Sequence, residues 1–187
     1  MALTTLDPNT ALIIVDLQKG IVGLPLVHPI AEILERNRAL ADAFRARGLP
    51  VVLVNVTGGA PGRTERPRFD MDALPADFAD IVPDLARQPD DIVVTKRTWG
   101  AFASTDLGEQ LERLGVTQVV VTGVATGTGV ESTARQAYEQ GFNVTLAIDA
   151  MTDRSREAHD YSVRHVFPRL GETGSTSDVI ALLEGRA

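Results

Sequence analysis

Short, almost continuously apolar runs alternate along the chain with longer segments in which apolar residues recur every three or four positions. The apolar runs are rich in Val, Ile and Leu, which predicts strands that are buried on both faces, as in a parallel sheet. These runs cover residues 11–16, 51–56, 91–96, 117–123 and 143–149. Alternation of strands with helices predicts βαβ units with right-handed crossovers, and therefore a three-layer α/β/α sandwich of Rossmann-like type.

The segments between the runs predict helices with one buried face. The first covers residues 29–47, where Pro29 suits the first turn and Gly48 suits the end. Further helices are predicted at 106–114, at 130–141, at 154–167 before Pro168, and after the Ser and Thr residues at 175–177. No repeat or interdomain linker interrupts this pattern, so we expect a single domain over residues 1–187.

Composition argues against several kinds of partner and several kinds of site. The chain has 18 basic and 25 acidic residues and a net charge of −7, which argues against binding to nucleic acid or to an anionic membrane. It contains no Cys, which excludes disulfides, thiolate metal sites and a Cys nucleophile. The N-terminus shows neither a targeting segment nor a membrane span, so we expect a cytoplasmic protein.

One loop is longer than an ordinary connection between a strand and a helix. Residues 57–69 are rich in Gly, Pro and Arg. Two interpretations are open for this loop: a flexible surface excursion, or a lid or oligomer contact over an active site.

Three polar residues follow the predicted strands at the edge where open α/β sheets bind ligands. Asp16 either accepts backbone hydrogen bonds from the next turn or acts as a general acid or base with a raised pKa. Lys96 either extends to the surface or lies close enough to offset the charge of Asp16. Gln18 is placed to orient a substrate or a water molecule. We therefore expect a polar site that is built on Asp16 and Lys96.

Aromatic residues are few, and two of them follow Lys96. Trp99 is the only Trp of the chain, and Phe102 comes three residues later. Together they predict an apolar wall for a small substrate, although core packing is an equal alternative for Phe102.

The glycine-rich stretch GVATGTG, residues 123–129, lies between a predicted strand and a predicted helix. It is no P-loop, because no Gly-Lys-Ser/Thr follows. A dinucleotide pattern over 127–132, with Asp149 as its acidic residue, has Ser132 where the third glycine belongs. The amides at about Thr128 to Val130, at the start of the predicted helix, favour negative charge, such as a substrate carboxylate or an oxyanion. Thr126 or Thr128 as a nucleophile needs an adjacent base, and no His lies nearby in sequence.

The three histidines predict surface or capping roles. His28 precedes a predicted helix, and His159 and His165 lie on another. No spacing of ligand residues at the strand ends is typical of a metal site. We expect neither a metal nor a cofactor.

Three spaced motifs resemble the isochorismatase-like hydrolase superfamily. They are IIVDLQKG around Asp16, VVTKRTWGAFASTDL around Lys96, and VVVTGVATGTGVESTARQAYEQGFNVTLAIDAM around Gly129. The resemblance implies a six-stranded parallel sheet in the order 3-2-1-4-5-6 and assembly into homo-oligomers. It also implies a cis peptide that places Val124 and Ala125 at the pocket.

The resemblance further implies a mechanism. Most members hydrolyse amides through a Cys thioester, and Gly129 stands at that Cys position. Isochorismatases cleave a vinyl ether without a nucleophile and resemble this chain in having Gly there. By that resemblance Asp16 donates a proton, Lys96 binds or polarises the substrate, Gln18 positions it, and the amides of Thr128 and Gly129 bind a carboxylate.

The stretch after Asp16 and the loop after the second strand depart from isochorismatases, because both lack the usual aromatic residues. We therefore expect hydrolysis of a small anionic substrate other than isochorismate. A catalytically silent binding or scaffolding protein on the same fold is the alternative, and a dinucleotide-binding protein is a third.

Overall fold

The computed structural model describes residues 3–65 and 73–185. Its centre is a six-stranded, all-parallel sheet in the order β3-β2-β1-β4-β5-β6. The strands are β1 (Thr10–Val15), β2 (Val51–Val56), β3 (Ile92–Lys96), β4 (Gln118–Val124), β5 (Asn143–Thr152) and β6 (Glu172–Gly174). This confirms the fold class, the strand order and the parallel arrangement.

Helices cover both faces of the sheet. They are α1 (Lys19–Val22), α2 (Ile30–Ala46), α3 (Leu107–Arg113), α4 (Glu131–Glu139), α5 (Arg156–Tyr161) and α6 (Thr176–Glu184). Alternate residues of β1 point to opposite faces, so Leu12 and Ile14 join one apolar cluster while Ile13 and Val15 join the other. The first cluster includes the buried stripes of α2 and α6, and the second includes those of α3 and α4. The central strand is consequently buried along its whole length, as its composition predicts.

Several predicted boundaries were wrong. α4 begins at Glu131, next to its predicted start near Val130, but the π-helical turn Thr126–Val130 that precedes it was not predicted. The helix predicted at 154–167 is divided into α5, a π-helical segment at Ser162–Val166 and a 3-10 turn at Phe167–Arg169 that includes Pro168. Irregular hydrogen bonding of this kind leaves the apolar spacing of a helix almost unchanged, which is why periodicity does not reveal it.

Strand β5 runs on to Thr152, three residues beyond its predicted end. Its pairing with β4 shifts register between Val121 and Gly123. Gly123 itself has φ +109°, and a Cβ there would stand 2.1 Å from the carbonyl oxygen of Val15. Only glycine fits so close to the end of β1, so this position brings the two central strand ends together.

The long loop is described in part. Residues 57–65 form an irregular stretch that becomes exposed from Gly59 onward, and residues 66–69 of the predicted lid lie outside the described residues. Within the described ranges, no helix is long and apolar enough to cross a membrane.

Candidate functional site

Asp16 and Lys96 meet at the carboxyl edge of the sheet. Asp16 directly follows β1 and Lys96 ends β3, so the lysine side chain spans the width of β2, which lies between them. Its Nζ donates to Asp16 Oδ2 at 2.8 Å, and both side chains are buried. The ion pair that the strand ends predict is therefore present, with the carboxylate and the ammonium enclosed by protein.

The backbone at Asp16 leaves strand geometry abruptly. Its amide still donates to the carbonyl of Val54 on β2 at 2.9 Å, but its φ is +51°, in the left-handed region. Non-glycine residues seldom adopt this conformation, and it costs about 1–3 kcal/mol. The surrounding strands thus hold the residue that is paired with Lys96 in a strained conformation.

Electrostatics give Asp16 an unusual protonation equilibrium. Burial raises the pKa of this carboxyl from 3.8 to about 6, against the charge and the hydrogen bond of Lys96, which lower it. Oδ1 is buried and has no hydrogen-bond partner among the residues that the structure describes. Because Oδ2 accepts from Lys96, the proton of the neutral acid belongs on Oδ1. Asp16 can therefore exchange a proton near neutral pH through an oxygen that no neighbour occupies.

Gly129 completes this group. A Cβ at position 129 would stand 3.2 Å from Asp16 Oδ2 and 3.1 Å from Val15 Cγ1. The peptide between Val124 and Ala125 is cis, as the resemblance implies. The structure thus brings together Asp16, Lys96 and Gly129, with the Val124–Ala125 peptide just before the turn that carries Gly129.

The amide of Thr128 is not free to bind a ligand. The N–H groups of Thr128 and Val130 both donate to the carbonyl of Ala125, at 3.0 and 3.1 Å. The expectation that the Thr128 amide binds a carboxylate was therefore wrong, because the π-helical turn already uses this donor. A role for the Gly129 amide stays a prediction.

Gln18 has a structural role that sequence reasoning missed. Its side chain is fully buried, and its Nε2 donates to the carbonyls of Val56 and Phe78 at 3.1 and 3.0 Å. Its Oε1 accepts from the amide of Val56 at 2.7 Å. With both amide hydrogens committed to backbone, Gln18 ties the end of β2 to the segment around Phe78. The prediction that it positions a substrate was wrong.

The predicted aromatic wall does not form as a pair. Phe102 is buried in the apolar cluster, 6.0 Å from the ring of Phe142, whereas 66% of Trp99 is exposed. Phe102 therefore takes the core alternative, and a contact between Trp99 and substrate stays a prediction.

Asp149 is not available to a nucleotide ribose. Its Oδ1 accepts hydrogen bonds from the amide and the hydroxyl of Thr176, at 2.7 and 3.0 Å, at the start of α6. Its other oxygen lies 3.7 Å from Arg36. The acidic residue of the dinucleotide pattern is committed to a helix start, which removes the support for that interpretation.

His159 forms a contact that the sequence did not indicate. His159 is buried, and its Nδ1 lies 2.8 Å from the Thr126 hydroxyl. The base whose absence counted against a Thr nucleophile is thus present. Thr126 is fully buried, and its hydroxyl lies against His159 of α5. Surface or capping roles were predicted for all three histidines, and the surface role was wrong for His159, because its side chain is buried and hydrogen-bonded to Thr126.

The described ranges contain no cluster of side chains that could bind a metal ion. No group of three or more His, Asp or Glu side chains there could hold an ion. The chain as a whole contains no Cys.

Comparisons with known proteins agree with the fold. The family profile of the isochorismatase domain matches residues 10–178. Among curated relatives, the isochorismatase family protein YwoC of Bacillus subtilis (strain 168) is 39% identical over 92% of this chain and 93% of its own length. YecD of Escherichia coli O157:H7 is 40% identical over 94% of this chain and 96% of its own. A solved isochorismatase family structure from Burkholderia thailandensis is 42% identical, with a TM-score of 0.91, over 96% of this chain and 98% of that one.

Proposed function

This chain belongs to the isochorismatase family, and we propose that it hydrolyses a small anionic substrate, a vinyl ether or a related compound, by a reaction that begins with proton transfer from Asp16. The observation that carries the proposal is Oδ1 of Asp16, which has no hydrogen-bond partner among the described residues. It is buried, it belongs to an acid with a pKa of about 6, and it lies on a carboxyl group that faces Gly129. A buried acid whose pKa is perturbed by desolvation and by a specific charge partner is typical of catalytic sites.

The chemistry follows from this placement. Asp16 Oδ1–H transfers its proton to the terminal carbon of the vinyl ether, and the ether oxygen stabilises the resulting cation. Water adds to the cation and returns a proton to Asp16, and the hemiketal then breaks into a carbonyl compound and an alcohol. During the step Lys96 keeps its hydrogen bond to Oδ2 and stabilises the carboxylate that forms.

A thioester route is closed to this chain. It has no Cys, and the resemblance of the motif around Gly129 implies that this glycine stands at the family's Cys position. Gly129 brings no side-chain nucleophile to Asp16, and even a Cβ there would be in close contact with Asp16 Oδ2 and with the carbonyl oxygen of Val124, both at 3.2 Å. This supports water as the nucleophile.

The pH dependence of turnover tests the direction of proton transfer. We expect kcat/KM to be constant below about pH 6 and to fall about tenfold for each pH unit above it, because the acid must be protonated and its pKa is about 6. The measurement is kcat/KM between about pH 4.5 and 8.5 for isochorismate and a panel of simpler vinyl ether carboxylates. The carboxylates of these substrates stay ionised over this range.

The opposite slope would contradict the proposal. Activity that appears as the pH rises through about 6 would make Asp16 a general base. Tight binding of the panel without turnover at any pH would favour the silent binding protein.

Gly129→Ala tests whether the close packing of position 129 against Asp16 matters for turnover. The added Cβ would lie 3.2 Å from Asp16 Oδ2, so we expect kcat/KM to fall about 10²-fold by displacing the reactants. Gly127→Ala is the matched control, since its Cβ would meet Ala158 at 3.2 Å on the opposite face of the same turn. Equal losses in both variants would mean that crowding of the turn in general, and not the contact with Asp16, sets the rate.

A further inference from the structure

We propose that His159 is a positioning residue, which holds the turn Thr126–Val130 in its active geometry through a hydrogen bond to Thr126. The inference rests on the proposed function in so far as Gly129 borders the reacting atoms. It assigns a role to two buried polar side chains that the hydrolytic steps leave unused.

The turn has two faces with different neighbours. On one face, a Cβ at Gly129 would approach Asp16. On the other, a Cβ at Gly127 would meet Ala158 of α5 at 3.2 Å, and Thr126 reaches His159 of the same helix. Helix α5 is therefore the wall against which the back of the turn rests.

Two polar contacts attach the turn to that wall. The first is the 2.8 Å hydrogen bond between Thr126 Oγ1 and His159 Nδ1, in which both groups are buried. The second is donated by the amide of Gly127 to Asp153 Oδ2, at 2.8 Å. The other oxygen of Asp153 accepts from the amide of Ser155, the residue that caps α5. The turn and the start of α5 consequently share one network.

A second imidazole keeps His159 in place. The rings of His28 and His159 contact edge to face, with centroids 4.6 Å apart. Nε2 of His28 lies 2.8 Å from Arg156, whose guanidinium can only donate, so this nitrogen is an acceptor and His28 is neutral. Its Nδ1–H then donates to the Thr152 hydroxyl at 3.0 Å. Burial, the largest cause, lowers the pKa of both imidazoles, which keeps the pair uncharged at neutral pH.

The hydrogen bond between His159 and Thr126 affects the face of the turn that carries Gly129 and approaches Asp16. The amides of Thr128 and Val130 close on the carbonyl of Ala125, one residue before Thr126. Loss of the Thr126 anchor frees the start of the turn, so Gly129 can drift from Asp16. A displacement of about 1 Å at such a position can cost about 10² in rate.

Paired variants separate this role from ordinary stability. Thr126→Val and His159→Leu remove the hydrogen bond at similar volume, and Thr126→Ser and His159→Asn keep a polar atom there. We expect the first two to lower kcat about 10- to 100-fold with KM changed less than about threefold, and to raise hydrogen exchange at the Thr128 and Val130 amides about tenfold. The two conservative variants restore both values, and the double variant Thr126→Val/His159→Leu is no worse than either single one.

Thr145→Val is the control. Its hydroxyl is also buried and accepts a hydrogen bond from Gln118 at 3.0 Å, away from the turn. We expect it to lower the melting temperature while the turn amides and kcat stay unchanged. If Thr126→Val likewise lowers only the melting temperature, His159 does not position the turn.

Hydrogen exchange needs no substrate, so the two proposals fail separately. If the wild-type protein hydrolyses nothing in the panel but the exchange pattern appears, His159 positions the turn and the proposed function is overturned. If Asp16-dependent turnover is present and neither exchange nor kcat responds to Thr126→Val, the positioning role alone is overturned.

Discussion

Turnover by the Asp16→Asn variant is expected to fall at least about 10³-fold, because the amide has no proton to transfer to the substrate and general acid catalysis contributes about 10²- to 10⁴-fold. Asn has the same shape as Asp. In the wild type Lys96 Nζ donates to Asp16 Oδ2 at 2.8 Å, and in the variant it can donate to the side-chain carbonyl oxygen of Asn instead. The variant therefore separates the loss of the acid from the loss of packing. Steady-state kcat with each member of the vinyl ether panel, measured near pH 6, checks it.

Asp91→Asn is the matched control for this variant. Asp91 is also buried and accepts from Arg45 at 2.7 Å, but it lies at the opposite end of β3 from Lys96. We expect this control to lower stability and leave kcat unchanged. If Asp16→Asn retained more than about a tenth of wild-type turnover, proton donation by Asp16 would be wrong.

Lys96→Met is expected to lower the free energy of unfolding by about 3–5 kcal/mol near pH 8, because removal of one partner leaves a buried charge uncompensated. The effect depends on pH. Lys96 lowers the pKa of Asp16, so its removal moves that pKa above its present value of about 6. A carboxyl with a raised folded pKa contributes stability at low pH, and this contribution is lost as the pH rises through the folded pKa. At pH 5 the neutral acid has no charge to compensate, so the loss should be smaller.

Urea unfolding of the wild type and the variant at pH 5 and pH 8 checks this expectation. The double variant Asp16→Asn/Lys96→Met should recover part of the stability at pH 8, since no charge is then left buried. Lys19→Met provides the contrast, because the ion pairs of Lys19 with Asp77 and Asp80 are exposed and should contribute little. Equal destabilisation of Lys96→Met at both pH values would mean that Asp16 does not change its protonation in this range.

The strands were the most predictable part of the fold. A strand buried on both faces needs an apolar side chain at nearly every position, and β1, with Leu12 to Val15 wholly enclosed, shows this directly. β6 is the contrary case. It spans only Glu172–Gly174 at the sheet edge and is partly exposed, so no apolar run indicates it. Its existence could be expected only from the resemblance.

The polar side chains at the strand ends fall into two groups: some contact other side chains of the site, and one contacts only backbone groups. Asp16 and Lys96 could be predicted to meet because the carboxyl ends of parallel strands lie at one edge of the sheet. Gln18 ends at the same edge, yet its amide satisfies the backbone of Val56 and Phe78. A one-dimensional pattern shows that a polar residue is present, but not whether a ligand or a peptide group will face it.

The sequence by itself determined the alternation of strands and helices, the carboxylate and the lysine at the strand ends, and the absence of a thiol. These follow from residue type and local spacing alone. Only the tertiary structure decided the pKa of Asp16, which depends on burial and on Lys96, 80 residues away, and the hydrogen bond of Thr126 to His159, 33 residues away. Both properties arise from solvent exclusion and atomic contact between segments that are distant in the chain, and neither leaves a trace in the spacing of residues along it.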